Sequence, residues 1–401
     1  MRMNKTLLSI VASTTLTLLI FAFPLLYPSF RHNPFLDDFD FLVYHLHESF
    51  PFFGVAERRL GIDLDELLTE TREGVANAWI EVSFLARLGE LNRKLGYMAH
   101  FQVIPADASA FGFLHNHYVG HGLNPPSAVA HFRTAERTLR TEIIEDGKIA
   151  RVTFSSFGSV TLSYADRNLL SNFLKMVHDY EHLIVDIRQV RGGWFSDQVE
   201  FLIRPNITER IEFYSFGFFT NGQLAELATL NQRQTQLMRG NIGHHFSVGG
   251  PRGYGIYPAS ELVEKYGLVY MNEEDLESLR YGYKLRTIVA PWHDSPYSFN
   301  GQIWVLTSRF NFSGAEAFAR LAKEAGFTLV GQTTGGAIGS GSTTHFRLPY
   351  TGTLIRLDTL YITDSKGRAK EEFPTQPHHF VEYRMCALET TLAFIEYGTS
   401  R

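Results

Sequence analysis

A strand–helix–strand pattern that occurs twice along the chain constrains the fold more than any other feature. Each copy joins two short apolar runs, rich in β-branched residues, through a segment whose apolar residues recur three and four apart. The segments lie at Ile149–Phe154, 166–180 and 183–187 in the first copy and at 303–307, 313–325 and 327–331 in the second. Parallel strands need a crossover connection of this kind, so we predict an α/β core with a mainly parallel sheet.

The remaining segments predict a division of the chain into four parts. Helical spacing before residue 105 indicates a small cap domain, whereas residues 206–300 separate the two copies of the pattern and indicate a variable excursion from the core. The expected parts are a signal peptide or membrane anchor at 1–30, a helical cap domain at 34–105, the α/β core at 106–385 and a C-terminal tail at 386–401.

The N-terminus has the composition of an export signal. Arg2 and Lys5 precede residues 7–27, which contain no charged side chain. This run is near the roughly 20 residues needed to cross a bilayer and exceeds the roughly 7–15 apolar residues of a cleaved signal. The pattern favours an uncleaved membrane anchor, with a cleaved signal peptide as the alternative. Because positive residues stay on the cytoplasmic side, we expect the body of the protein outside the cytoplasm, in the cell envelope or periplasm.

Charge and metal-ligand content exclude several functions. Asp and Glu number 42 against 37 Lys and Arg, and no basic block is present, so nucleic acid is not an expected partner. Cys386 is the single cysteine, which excludes an internal disulfide and a cysteine-based zinc site. The closely spaced histidines lack the His-Glu-x-x-His spacing of a zinc helix, so neither a metal nor another cofactor is expected. These histidines are His45 and His47, His244 and His245, and His378 and His379.

Ser313 lies where reactive groups collect in open parallel sheets, after the carboxyl end of a strand and at the start of a helix. The unpaired N–H groups and the positive dipole end of that helix favour a developing oxyanion. A structural interpretation competes with this one, since Ser313-x-x-Glu316 is also a capping box, in which the two side chains satisfy each other's free amides. The local sequence alone favours the cap, because serine is a weak nucleophile without a base and an oxyanion hole.

Three motifs occur in a fixed order around this serine. They are Leu-Ile-Val-Asp-Ile-Arg-Gln-Val-Arg-Gly-Gly at 183–193, Val-Leu-Thr-Ser-Arg-Phe-Asn-Phe-Ser-Gly-Ala-Glu-Ala-Phe-Ala at 305–319, and Val-Gly-Gln-Thr-Thr-Gly-Gly at 330–336. Glu371 then precedes Pro377 by six residues. In this order and spacing the chain resembles the tail-specific, or C-terminal processing, serine peptidase superfamily over roughly 149–381, outside the excursion. The resemblance implies a crotonase-like ββα-type core.

Two segments indicate a branch of that superfamily that lacks a Ser/Lys dyad. The bacterial processing branch carries its lysine after the strand that follows the nucleophile helix, but residues 335–338 contain no lysine. That branch also has a PDZ domain before the core, and residues 100–141 are too few to hold one. The chain is more similar to the branch that includes the tricorn core and the modules of interphotoreceptor retinoid-binding protein. That branch takes its catalytic histidine from the end of the helical cap.

The resemblance implies a set of site residues. The expected catalytic residues are Ser313 as nucleophile, His100 as base and Glu371 as the carboxylate that fixes the imidazole, with Glu372 as an alternative to Glu371. The expected oxyanion hole combines the backbone N–H of Gly314 with that of Gly192 or Gly193.

The implied function is that of a serine-type endopeptidase, which hydrolyses a peptide or an unfolded protein through an acyl-enzyme. The alternative is a catalytically inactive module that binds an apolar ligand or a peptide on the same fold. Three residues depart from the superfamily's pattern. Ala99 stands where the tricorn core has a serine, Arg191 replaces a small residue before the glycine pair, and His378 replaces an aspartate after Pro377.

Overall fold

The computed structural model describes most of the chain after residue 31. The described residues are 32–106, 138–158, 162–220, 222, 246–249, 255–336, 343–383 and 385–398. No helix in this part of the chain combines the length and the apolar character that a membrane crossing requires. The apolar run at 7–27, with the rest of the predicted signal peptide or anchor, lies outside the described residues.

Helices and strands alternate along the core after an all-helical beginning. The helices are α1 Pro34–Ser49, α2 Phe53–Leu60, α3 Leu64–Ala76, α4 Glu81–Leu95, α5 Tyr164–Met176, α6 Ser196–Gln198, α7 Ala259–Tyr266, α8 Glu273–Ser278, α9 Gly314–Glu324 and α10 Ala387–Tyr397. The strands are β1 Gln102–Ile104, β2 Leu139–Glu145, β3 Ile149–Phe154, β4 His182–Asp186, β5 Ile211–Phe219, β6 Phe246–Gly249, β7 Tyr257–Pro258, β8 Tyr281–Val289, β9 Gln302–Thr307, β10 Thr328–Gly331, β11 Thr343–Arg347, β12 Leu354–Asp358, β13 Tyr361–Thr363 and β14 His379–Phe380.

The helices α1 to α4 lie in the segment predicted as the helical cap domain, and each is amphipathic. In α1, the side chains of Phe39, Leu42 and Leu46 recur three and four residues apart and are fully buried. The helix begins at Asn33, whose side-chain oxygen accepts the N–H of Phe35. The apolar faces of these helices share one hydrophobic core with residues of β5, β12 and β13, so the cap domain packs directly on the sheets.

A six-stranded sheet forms the centre of the core, in the order β14-β10-β9-β4-β3-β2. The edge strand β2 runs antiparallel to β3, and the other four pairs of neighbours are parallel. The helix α5 lies between β3 and β4 in the chain, and α9 lies between β9 and β10. Both predicted strand–helix–strand units are therefore present, and the prediction of an α/β fold with a mainly parallel central sheet is confirmed.

Part of residues 206–300 forms a second, antiparallel sheet, which the sequence analysis did not predict. The strands β5 and β8 pair along their full length, from Ile211 opposite Val289 to Phe219 opposite Tyr281. The strands β13 and β6 extend this sheet on either side, and β7 also pairs with β8. Aromatic and β-branched residues, which favour strands, make up much of β5 and β8, the two central strands of this sheet.

A three-stranded antiparallel sheet, in the order β1-β12-β11, connects the cap domain with the core. The strand β1 follows the last turn of the cap domain, and its Gln102 pairs with Arg356 of β12. Extending this antiparallel register by two residues places His100 opposite Asp358. The sheet thus brings a histidine at the end of the cap domain to a carboxylate at the end of a core strand.

Candidate active site

Ser313 links β9 to α9 in a conformation that few serines adopt. Its φ of 54° and ψ of −121° lie outside the regions that are favourable for a residue with a side chain. Its N–H donates to the carbonyl oxygen of Gly336 at 3.0 Å, and its own carbonyl accepts the first helical bond, from Ala317. Its half-buried side chain makes no capping hydrogen bond to the helix. Strained residues of this kind cluster at functional sites.

The capping-box interpretation fails on both of its members. A capping box needs the carboxylate of Glu316 to accept the N–H of Ser313, but that N–H is bound to Gly336. Glu316 is fully buried, and its carboxylate accepts hydrogen bonds from Thr334 Oγ1 and from Thr375, whose Oγ1 lies at 2.7 Å. Glu316 therefore joins the loops that carry Thr334 and Thr375, and it does not cap the helix at Ser313.

His100 ends the cap domain in a 3₁₀ turn, Met98–His100, and has a positive φ of 54°. Its ring atom Nδ1 lies 2.7 Å from Oδ2 of Asp358, and both residues are buried. The other oxygen of Asp358 accepts the hydroxyl of Thr343 at 2.8 Å. An ionised Asp358 can only accept, so it fixes the tautomer with the hydrogen on Nδ1 and leaves the lone pair of Nε2 available.

This contact corrects the expectation for the imidazole's partner, which was Glu371 or Glu372. Asp358 holds that position because the β1–β12 register carries it to His100, 258 residues along the chain. Glu371 instead accepts the N–H of Ala99 at 3.0 Å and pairs with Arg59 at 2.7 Å. Glu372 pairs with Arg58. Glu371 therefore holds the backbone of Ala99, the residue before His100.

Two contacts bring the histidine segment to the serine segment. The ring of Tyr97 packs on that of Phe312, with centroids 6.1 Å apart. Gly336, which accepts the N–H of Ser313, lies beside Arg59 and the carboxylate of Glu371. The end of the cap domain therefore lies against the turn that carries Ser313.

The predicted glycine pair lies against the same turn. Gly192 and Gly193 have φ values of 129° and 115°, which L side chains rarely adopt. A Cβ atom on Gly192 would lie 3.1 Å from the Cβ of Ser313, and one on Gly314 would lie 1.9 Å from the carbonyl oxygen of Gly193. Buried Asn311 connects the loop before Ser313 with the loop that follows β4, because its amide donates to two carbonyl oxygens of the latter at 2.7 and 2.9 Å. The absence of side chains here permits a close approach to Ser313.

The other two departures from the superfamily's pattern are Arg191 and His378. The Arg191 guanidinium stacks over the ring of Phe310, 5.6 Å from its centroid. Arg191 also lines a cavity of about 370 Å³ at the carboxyl ends of β4 and β9, whose lining includes neither Ser313 nor His100. His378 has a structural role, since its Nδ1 accepts the N–H of Leu329 at 3.0 Å. Among the described residues, no group of three His, Cys, Asp or Glu could hold a metal ion.

Comparison with known proteins gives the family. The profile of peptidase family S41 matches residues 148–381, more than half of the chain, so the protein belongs to peptidase family S41. This confirms the predicted membership of the tail-specific peptidase superfamily. A search of curated proteins found no match.

Solved structures share the fold. A candidate peptidase from Parabacteroides merdae is 16% identical, with a TM-score of 0.56, over 91% of this chain and 97% of that one. Mature CPAF, solved with lactacystin, is 12% identical, with a TM-score of 0.51, over 87% of this chain and 93% of that one. The family supports a peptidase-like function for the protein.

Proposed function

We propose that the protein is a serine endopeptidase that forms an acyl-enzyme on Ser313, with His100 as base and Asp358 as the carboxylate that orients it. The conformation of Ser313 carries this proposal. Its backbone is strained, its side chain makes no capping bond, and the glutamate that could have explained it as a cap is bound elsewhere. Peptides or unfolded proteins are the proposed substrates, as for the family.

In the first half of the reaction, the Ser313 oxygen attacks the carbonyl carbon of the substrate while Nε2 of His100 takes the hydroxyl proton. The carbonyl π electrons move to oxygen and form the tetrahedral oxyanion. Asp358, hydrogen-bonded to Nδ1, stabilises the positive charge that the ring acquires. The imidazolium then gives its proton to the leaving nitrogen, the C–N bond breaks, and the acyl group remains on Ser313.

The second half repeats these steps with water. His100 takes a proton from water as the water oxygen attacks the acyl carbon, and returns it to the Ser313 oxygen as the ester bond breaks. The N–H of Gly314, at the first turn of α9, and a donor from the Gly192–Gly193 loop are the proposed oxyanion hole. Glu371 supports this geometry from the N–H of Ala99.

The test is hydrolysis of an unfolded protein by the purified full-length chain. Fluorescein-labelled casein is incubated with the wild type and with Ser313→Ala, prepared side by side so that a contaminating protease acts in both. We expect cleavage by the wild type alone. Equal cleavage in both preparations, or none by a folded wild type, refutes the proposal and favours the alternative of a binding module on the same fold.

We also propose that the protein is exported and anchored through residues 7–27, with the core outside the cytoplasm. The charge-free run after Arg2 and Lys5 supports this proposal. Protease added to intact cells or spheroplasts should digest the core, and carbonate extraction should leave the full-length chain in the membrane fraction. A chain that is protected from the protease and found in the soluble fraction would contradict it.

A further inference from the structure

Arg59 reaches from the cap domain into the candidate site. It lies near the end of α2, and its side chain is 19% exposed. Its Nη1 donates to Oε1 and to the backbone oxygen of Glu371 at 2.7 and 2.8 Å. Its Nη2 donates to the carbonyl oxygen of Gly335 at 2.5 Å. One guanidinium thus holds two separate loops of the core.

Each of these two loops also contacts the backbone of a proposed catalytic residue or of its neighbour. The Oε1 atom that pairs with Arg59 also accepts the N–H of Ala99, which precedes His100. Gly336 follows Gly335, and its carbonyl oxygen accepts the N–H of Ser313. The backbone of the base and that of the nucleophile are therefore connected through Arg59.

The three residues at the ends of this connection all have strained backbones. Ala99, His100 and Ser313 have φ values of 47°, 54° and 54°. Such conformations are uncommon for residues with side chains and persist only where the surroundings impose them. The contacts of Glu371 and Gly336 with this backbone provide part of that constraint, and both are adjacent to the Arg59 guanidinium.

We infer that Arg59 is a positioning residue that sets the backbone of His100 relative to that of Ser313, an inference that rests on the proposed function. Arginine suits this role because its planar fork presents several donors in a fixed geometry, which holds two acceptors at a set separation. Lysine carries the same charge on a single flexible nitrogen and cannot reproduce the fork.

Arg58 provides a matched control on the same helix. It is 25% exposed and pairs with Asp275 at 2.5 Å and with Glu372 at 2.9 Å. Burial lowers the pKa of Arg58, but the hydrogen bonds to Glu372 and Asp275 outweigh it and leave the pKa above its usual value. Arg58 therefore makes the same kind of ion pair between cap and core without the contact to Gly335.

The test compares second-order rates of fluorophosphonate labelling for the full-length wild type, Arg59→Ala, Arg59→Lys and Arg58→Ala. Thermal unfolding of each variant confirms that it is folded. We expect Arg59→Ala to lower the rate about 100-fold, because a shift of about 1 Å in reacting groups has that effect. We expect Arg59→Lys to lower it at least about tenfold and Arg58→Ala to leave it within about threefold. Added guanidinium ion should restore part of the rate of Arg59→Ala and leave the wild type unchanged.

The possible failures are distinguishable. The positioning role is refuted, and the proposed function stands, if the wild type labels on Ser313 and the folded variants Arg59→Ala and Arg59→Lys label as fast as the wild type. Equal losses of labelling rate in Arg58→Ala and Arg59→Ala also refute the positioning role, because the ion pairs that attach the cap domain to the core would then explain both losses. A folded wild type that does not label on Ser313 refutes the proposed function, and the role of Arg59 with it. If Arg59→Ala does not fold, Arg59→Lys decides the question.

Discussion

Replacement of Asp358 by asparagine tests the proposed roles of Ser313, His100 and Asp358 at the one residue of the three that the sequence did not predict. The change keeps the size of the side chain, and its amide oxygen can still accept Nδ1–H of His100. Two things are lost: the negative charge beside the imidazolium that forms during the reaction, and the control of the tautomer, because an amide can also donate to Nδ1. The loss of charge alone sets the minimum effect. The nearest atoms of the two groups are 2.7 Å apart, and neither side chain is more than 8% exposed, so the lost interaction is weakly screened.

The expected magnitude follows from Coulomb's law. With charge centres about 4 Å apart and an effective dielectric constant of about 20, the attraction is about 4 kcal/mol. At 1.36 kcal/mol per tenfold change in rate, its loss should slow acylation of Ser313 by about three powers of ten. Glu371→Gln should slow it far less, by about tenfold, because the amide oxygen can still accept both the N–H of Ala99 and the Arg59 guanidinium, so the backbone shifts only slightly.

The assay is the fluorophosphonate labelling rate of both variants, together with kcat/KM for casein-derived peptides once a cleaved site is known. Circular dichroism and thermal unfolding show whether the variants are folded. A rate for Asp358→Asn within threefold of the wild type, or a larger loss in Glu371→Gln than in Asp358→Asn, would refute the assignment of Asp358 and return the role to Glu371.

Three further predictions concern the surroundings of the site. Burial, with a smaller effect of Arg320, lowers the pKa of Lys370 to about 7, so the unfolded chain holds a proton between about pH 7 and 10.5 that the folded chain lacks. The free energy of unfolding, measured by urea titration at several pH values, should therefore rise across that window by up to about 5 kcal/mol. Lys370→Met should abolish this rise, and the same dependence on pH in the variant and the wild type would contradict the prediction. Gly192→Ala should lower the labelling rate at least about 100-fold, because Gly192 has a φ of 129° and the added Cβ would lie 3.1 Å from the Cβ of Ser313. Gly89→Ala should leave the rate unchanged, because its added Cβ meets no atom within 4 Å. Asn311→Ala should lower the free energy of unfolding by at least about 2 kcal/mol, because it leaves the buried carbonyl of Val190 without the Asn311 donor and the N–H of Ser308 without its acceptor. An unchanged urea midpoint would count against this prediction.

The sequence predicted the central sheet because its signals are local. A run of β-branched residues, a segment of helical period and a second apolar run each lie within about 40 residues of chain. The placement of Ser313 at the start of α9 follows from the same pattern. The aromatic and β-branched residues of β5 and β8 were also present in the sequence, but no motif marked these strands as partners across more than 60 residues.

Asp358 and Arg59 could not be predicted in the same way. Asp358 ends a short strand and has no neighbouring motif, and it acquires its role only through the pairing of β1 with β12. Arg59 stands beside Arg58 near the end of α2, where basic residues are expected simply to interact with the helix dipole. Both roles come from tertiary contacts between segments that are distant in the chain, and the spacing of residues in one sequence does not record such contacts.

The most direct test of the account is to locate the reactive atom. The full-length protein is treated with a fluorophosphonate, digested and analysed by mass spectrometry, in parallel with Ser313→Ala and His100→Ala. The account predicts one adduct, on the peptide that contains Ser313, that is absent from Ser313→Ala and forms much more slowly in His100→Ala. A folded wild type without an adduct, or an adduct that persists in Ser313→Ala, would contradict the claim that Ser313 is the nucleophile of a serine peptidase.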